Sequence, residues 1–213
     1  MIRELVDELL LDKQITVGFV GINQAIVDKW SSILRREFAD LGMQILAKTL
    51  DEIQQNPEAA AQELQPTCCV LTLVSTWSDV RSLLPDERFK ISAVLSELST
   101  ATHKELANLP PSGPVGLICR DFYVNSILAI LSAYIDLARV LQVSPYDDNG
   151  MRRVFSQADV VVHTLAAAER VVPLAKPGTR LVELEYVPNR AAVGLLRQRL
   201  ASEATSAGGS STS

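Results

Sequence analysis

Six short apolar runs in this chain each end in a cluster of small or polar residues: Val17 to Asn23, Cys68 to Thr76, Ile91 to Thr100, Val115 to Asp121, Asp159 to Thr164 and Leu181 to Asn189. Helical stretches separate them. Runs of this length alternating with helices make a parallel sheet, because parallel neighbours need a crossover and the crossover helix covers the sheet face. Open parallel sheets take ligands at the carboxyl ends of their strands, so the pattern places a site before it says what enters it.

With 213 residues the chain can form one large domain or two small lobes, and 47% hydrophobic with 21% charged residues is ordinary for a globular protein. The net charge of -5 argues against a broad basic surface, so no direct nucleic-acid contact is expected. Met1 to Gln14 carries Arg3, Glu4, Asp7, Glu8, Asp12 and Lys13 among its leucines and lacks the apolar core of a signal peptide. No run approaches the roughly 20 apolar residues that span a bilayer. A cytoplasmic protein without membrane contact is expected. Its three cysteines make no even disulfide framework. Cys68 and Cys69 are adjacent and point to opposite faces of a strand, and a redox role would need an exposed thiol of lowered pKa. Burial is the simpler reading.

Along the chain, Ile2, Leu5, Val6, Leu9 and Leu10 recur at helical spacing and predict an amphipathic opening helix. The strand Ile15 to Gly21 is followed by Ile26, Trp30, Ile33, Leu34 and Phe38, an i, i+3, i+4 stripe, so this is a βα unit. Met43 to Ala47 reads as the next strand, and Cys68 to Val74 is apolar enough for a central one. Ile91 to Leu95 alternates with serines and has one exposed face. Pro110-Pro111-Ser112-Gly113-Pro114 is a stiff turn into Val115 to Cys119. The following helix, Val124 to Leu137, is apolar on most faces and is expected to be buried. Val140 to Val143 and Val160 to Val162 are strands, with helices over Met151 to Gln157 and Ala166 to Leu174. Leu181 to Tyr186 is the last strand and Ala191 to Ala201 the last helix.

This order predicts an α/β fold in two Rossmann-like lobes with parallel sheets; one continuous sheet is the alternative. Residues 1–14 form the opening helix or linker, 15–97 and 180–201 one lobe, and 98–179 the other. The tail 202–213, rich in Ser, Gly, Thr and Ala, is expected to be disordered.

Enzyme fingerprints are sparse. Gly21-Ile22-Asn23 lacks the third glycine of a dinucleotide loop, there is no Walker loop and no nucleophile elbow, and no cofactor is expected. His103 and His163 stand outside metal-ligand spacing, so no metal site is expected. Asn23 closes the first strand and offers an amide. His163 ends a strand and can donate to an anion, or be bonded to backbone. Arg120, just past the strand ending at Cys119, can grip a carboxylate or phosphate with its fork, or pair with Asp121 or cap a helix. Ser75, Thr76 and Trp77 offer hydroxyls and an aromatic wall, but Ser-Thr-x-x-Asp is also an N-terminal cap. Tyr146, Asp147 and Asp148 can line a cleft or form a solvated acidic loop. The ligand-binding candidates are therefore Asn23, Ser75, Thr76, Trp77, Arg120 and His163, with no catalytic set.

Val17-Gly18-Phe19-Val20-Gly21-Ile22-Asn23, Cys68 to Thr76, Leu109 to Cys119, Ala158 to Val162, Pro177-Gly178-Thr179-Arg180 and Leu184-Glu185-Tyr186 together resemble the carboxy-terminal effector domain of GntR-family transcription regulators, particularly the cyanobacterial PlmA type, over residues 2–201. The resemblance implies a periplasmic-binding-protein-like effector domain that senses a signal and forms a homodimer, linked to the nitrogen-signalling protein PII and its adaptor. It supplies no catalytic residues. No winged helix precedes Met1, so an excised domain, or a regulator that has lost its DNA reader, is expected. The leading reading is a non-catalytic sensing and dimerisation domain that binds a small anion or a partner protein. The alternatives are a small α/β enzyme working in an interlobe cleft and a purely structural dimer module.

Overall fold

The computed structural model describes residues 15–84 and 90–206, with side chains described through Leu200 and at Ser202. The expected opening helix and the tail beyond Ser206 lie outside the described residues. The chain divides into two compact units, 1–97 with 188–213, and 98–187.

In the first unit, β1 (Thr16–Gly21), β2 (Gln44–Thr49), β3 (Val70–Leu73) and β4 (Ile91–Val94) form a parallel sheet in the order β2-β1-β3-β4. Helix α1 (Gln24–Glu37) links β1 to β2. It starts where the Asn23 side chain accepts from the Ile26 amide at 3.1 Å and ends with Arg35 and Arg36 near its negative pole. Helices α2 (Leu50–Gln55) and α3 (Pro57–Leu64) lead to β3. The first opens on a Thr49/Glu52 capping box and the second on Asn56 followed by Pro57. Helix α4 (Trp77–Leu83) leads towards β4. Side chains alternate across the sheet. Val20 and Val70 pack with Leu50, Ile53, Leu64 and Val80 on one face. On the other, Phe19 stacks on Trp30 with ring centroids 6.4 Å apart.

After β5 (Ser96–Leu98) the second unit repeats the plan. Helix α5 (Thr100–Ala107) precedes β6 (Val115–Ile118), α6 (Val124–Leu131), β7 (Val140–Val143), α7 (Asp148–Gln157), β8 (Val160–Thr164), α8 (Ala168–Val171) and β9 (Arg180–Leu184). The sheet order is β7-β6-β8-β9, all parallel. Leu117, Val162 and Val182 face α5 and α6 through Leu106, Ile127 and Leu131, while Ile118 and Val161 face α7 and α8 through Val154, Phe155 and Val171. Both faces are covered, as a parallel sheet requires. The chain then passes through β10 (Tyr186–Pro188), which pairs with β5, into α9 (Arg190–Ser206) of the first unit.

The two units share one topology, and a register anchors the match. Gly18 lies beside Val70 and Gly116 beside Val161. Aligning these glycines superposes Thr72 on His163, Ile22 on Arg120, Thr76 on Ala167 and Asp79 on Arg170. The same alignment matches the helix-capping residues Ser99 and Asn189. The Ser99 amide donates to the Glu185 carbonyl at 2.8 Å, and the Asn189 amide donates to the Leu95 carbonyl at 3.0 Å. The helix after each unit's fourth strand belongs to the other unit.

The two-lobed parallel α/β architecture is thus as expected, with four corrections. The strand at 180–184 belongs with 98–179, because β9 ladders onto β8 from Val160↔Arg180 to Thr164↔Leu184; the return to the first unit comes at Pro188. The helix expected over Val124 to Leu137 ends at Leu131, where 3-10 bonds from Ala133 to Ile130 and from Tyr134 to Leu131 tighten the chain, and within it only Ile127 and Leu131 are buried. The helix expected over Ala166 to Leu174 is α over Ala168–Val171 alone, between 3-10 turns, the second containing Pro173. Helix α9 runs on through Ser202 to Ser206, into the segment expected to be disordered.

Candidate functional site

The six candidate residues stand at strand ends, four in the first unit and two in the second. In the first unit, the Asn23 side chain is spent on capping α1. Thr76 is 1% exposed, and its hydroxyl turns into the protein, 2.6 Å from that of Thr72 and 3.2 Å from the Leu73 carbonyl. Thr72 in turn donates to the Val20 carbonyl at 2.9 Å. Thr76 therefore makes no side-chain cap for α4, which corrects the Ser-Thr-x-x-Asp reading: a shared buried hydroxyl pair outcompetes the cap. Ser75 and Trp77 are half-buried, and the Arg81 guanidinium lies 4.8 Å from the Trp77 ring centre. The closed hydroxyl pair and the Asn23 cap thus spend the hydrogen-bonding groups of Thr76 and Asn23 on the fold.

The second unit is built differently at equivalent positions. Arg120 follows β6 and makes no salt bridge among the described residues. The alternative pairing with Asp121 is not formed; the guanidinium lies 5.4 Å from the ring centre of Tyr146 instead. Arg170, in α8 after β8, lies 5.6 Å from the same ring and bonds Asp148 at 2.5 Å. Both distances are within the range of attraction between a cation and an aromatic face. Tyr146 is 60% exposed, so the cluster is open to solvent. Asp147 caps α7 by accepting from the Gly150 amide at 2.8 Å.

His163 is 3% exposed, and its Nδ1 donates to the Thr164 carbonyl at 3.1 Å; since a carbonyl only accepts, Nδ1 carries the proton. This is the backbone-bonded reading. Cys119, one residue before Arg120, is buried, and burial with the nearby Asp121 carboxylate pushes its thiol up to about 11. Burial also pushes the Tyr186 phenol up, with Tyr123 and Cys119 adding to the effect. None of the three cysteines is in a disulfide. Cys69 is buried and Cys68 half-buried.

Sequence reasoning singled out Arg120 but missed Arg170, which lies one turn into the helix after a strand and reads locally as a surface helix charge. A groove of about 350 Å³ along β7 and α7, lined by Val140, Gln142, Asp147, Arg153 and Gln157 among others, also had no sequence signal. Among the described residues no group of three or more His, Cys, Asp or Glu side chains could hold a metal ion, and no helix is long and apolar enough to cross a membrane.

No protein-family model and no curated protein matches the chain. Solved structures do. The chain resembles an ABC-transporter solute-binding protein from Mycobacterium smegmatis with bound glycerol at 12% identity and a TM-score of 0.50, over 76% of this chain and 70% of that one. It also matches an NtrC-family transcriptional regulator from Clostridium acetobutylicum at 10% identity and a TM-score of 0.47, over 90% of this chain and 97% of that one. An aspartate transcarbamoylase from Trypanosoma cruzi matches at 13% identity with a TM-score of 0.31, over 95% and 86%. The first of these likenesses is one of fold alone, an α/β fold like that of the solute-binding protein.

Proposed function

We propose that this chain is a non-catalytic, ligand-responsive regulatory domain of a transcription regulator, which binds a small anionic metabolite or a partner protein and controls an attached DNA-binding domain. The observation that carries the reading is the architecture: two α/β units of one topology, joined by two chain passages and each presenting its strand carboxyl ends. Folds of this type place ligands at those ends. The sequence resemblance to GntR-family effector domains of the PlmA type supports the regulatory role. It also supports a homodimer and an origin in PII-type nitrogen signalling within a cytoplasmic, cyanobacterial setting. Arg120 is the strand-end residue suited to an anionic signal.

The test is a metabolite screen of the full chain by thermal shift and calorimetry, with pull-downs from cell extract and light scattering for the dimer. Stabilisation by an anionic metabolite, or specific capture of a PII-type protein, is the expected result. Absence of any binder across all three assays, or turnover of a bound metabolite, overturns the reading.

A further inference from the structure

The two units provide an internal comparison. They share topology and register, yet the positions occupied by Ile22 and Asp79 in the first are Arg120 and Arg170 in the second. A fold requirement would act on both units alike, so the two guanidiniums of the second unit are not explained by the fold.

Their placement is specific. β6 and β8 are neighbours in the sheet, and the helices that follow them pack on opposite faces, α6 with Leu117 and Val162, α8 with Ile118 and Val161. The point where successive connections leave a parallel sheet in opposite directions is where such sheets open a crevice. Arg120 stands at the first of these strand ends and Arg170 in the helix after the second. Tyr146, reached from β7, lies about as far from one guanidinium as from the other, 5.4 Å and 5.6 Å. Arg120 has no carboxylate partner among the described residues. Arg170 has one, Asp148, on an exposed pair with 43% and 63% of their side chains accessible. Asp147 is occupied as a helix cap, and Asp121 follows Arg120 in the chain.

From this we infer that Arg120 and Arg170, positioned about the Tyr146 ring, form a binding subsite for a doubly charged oxyanion group on a small molecule, a phosphate ester or a dicarboxylate. The inference rests on the proposed ligand-binding role and deepens it. Two forks offer paired donors to the several oxygens of such a group, which a lone guanidinium or a lysine does not. Tyr146 is a positioning residue: its ring centre lies 5.4 Å from the Arg120 guanidinium and 5.6 Å from that of Arg170, within reach of both cations. Asp148 is the competitor that an incoming anion displaces from Arg170.

The experiment is calorimetry on the full chain at low ionic strength, with inorganic phosphate, succinate and acetate as probes. Phosphate or succinate is expected to bind more tightly than acetate, and which of the two binds better identifies the source of the dianion. Arg120→Ala and Arg170→Ala each lower that affinity about ten-fold or more. Tyr146→Phe retains binding and Tyr146→Leu loses most of it, while Asp148→Asn strengthens it a few-fold. Circular dichroism and the unfolding midpoint of each variant separate loss of the subsite from loss of the fold. No binding of phosphate or succinate by the wild-type chain, or affinity indifferent to both arginines, overturns the inference. A metabolite that binds regardless of Arg120 and Arg170 sinks this subsite while leaving the regulatory reading standing; a chain that binds nothing sinks both.

Discussion

Thr72 and Thr76 hold their hydroxyls 2.6 Å apart at the carboxyl end of β3, both sealed from solvent. Each has one proton to give. Thr72 donates to the Val20 carbonyl at 2.9 Å, so Thr76 must be the donor within the pair or turn to the Leu73 carbonyl at 3.2 Å. Thr72 is the better-connected member. Thr72→Val, nearly the same shape, is expected to cost about 1–3 kcal/mol by taking the hydroxyl donor from the buried Val20 carbonyl and leaving Thr76 only its longer bond to the Leu73 carbonyl. Thr76→Val is expected to cost about 0.5–1.5 kcal/mol, since the Thr72 to Val20 bond survives. The double variant should cost less than the sum, because it leaves no orphaned hydroxyl. Urea denaturation of the three variants checks the order; a neutral Thr72→Val would contradict it.

Gly18 and Gly116 occupy the same place in their sheets, but their surroundings differ in stiffness. A Cβ at Gly18 would meet Leu64 Cδ2 at 3.0 Å and Val70 Cγ2 at 3.1 Å, whereas one at Gly116 would meet Val154 Cγ1 at 2.5 Å. The leucine tip can rotate away. The valine is β-branched, fixed at χ1 within α7 and buried against Phe155 and Met151. Gly116→Ala is therefore expected to destabilise by about 1–3 kcal/mol and Gly18→Ala by less. Thermal unfolding of the pair decides; equal effects would show that α7 shifts as freely as the leucine side chain.

Arg139 pins the proline-rich turn before β6. Its guanidinium donates to the carbonyls of Pro110 at 2.8 Å, Pro111 at 3.1 Å and Gly113 at 2.8 Å, and Gly113 has a φ of 85°. A lysine cannot reproduce three bonds fixed by a planar fork. Both Arg139→Lys and Arg139→Ala are expected to lower stability by about 1–2 kcal/mol, the bonds being partly solvent-exposed. They should also raise amide exchange in the 110–114 turn, read by hydrogen exchange with mass spectrometry. Unchanged exchange in that turn would show that its prolines and Gly113 suffice.

The elements that could be read in the sequence are those whose signal is local. The stripe Ile26, Trp30, Ile33 and Leu34 faces the core as its spacing predicts, and the apolar run into β3 is a central strand. What escaped depends on pairing. Leu181 to Leu184 looks the same whichever sheet receives it, and only its ladder with β8 assigns it to the second unit. The apolar stretch after Val124 reads as one long helix because composition does not register the 3-10 bonds that close it at Leu131. Arg120 was visible because it follows a strand directly. Arg170 was not, since its meeting with Tyr146 joins a helix to a loop 24 positions away in the chain. The common plan of the two units is nearly silent in residue identity, for it is kept in register and in which positions are small, as at Gly18 and Gly116.

Alkaline pH should weaken the second unit through Cys119 and Tyr186. The Cys119 thiol rises from 9.0 to about 11, through burial first and the Asp121 carboxylate second. Tyr186 rises from 10.0 through burial, then Tyr123 and Cys119. For both groups the native state favours the neutral, protonated form. Below pH 9 both folded and unfolded chains keep these protons, and the groups make stability no more dependent on pH. Between pH 9 and about 11 the unfolded chain releases the thiol proton while the native chain retains it, so stability falls as pH rises through that window. The tyrosine extends the fall upward from pH 10. Urea midpoints measured from pH 8 to 10.5 should therefore decline, and Cys119→Ala should flatten the lower part of the decline even if it lowers the midpoint at pH 8 by opening a small cavity. Disulfide-exchange reagents should label Cys119 in the native protein far more slowly than in urea, since the thiolate is the reactive form and the site excludes it. Rapid native labelling at pH 8 would show that the strand end opens, and with it the floor beneath Arg120.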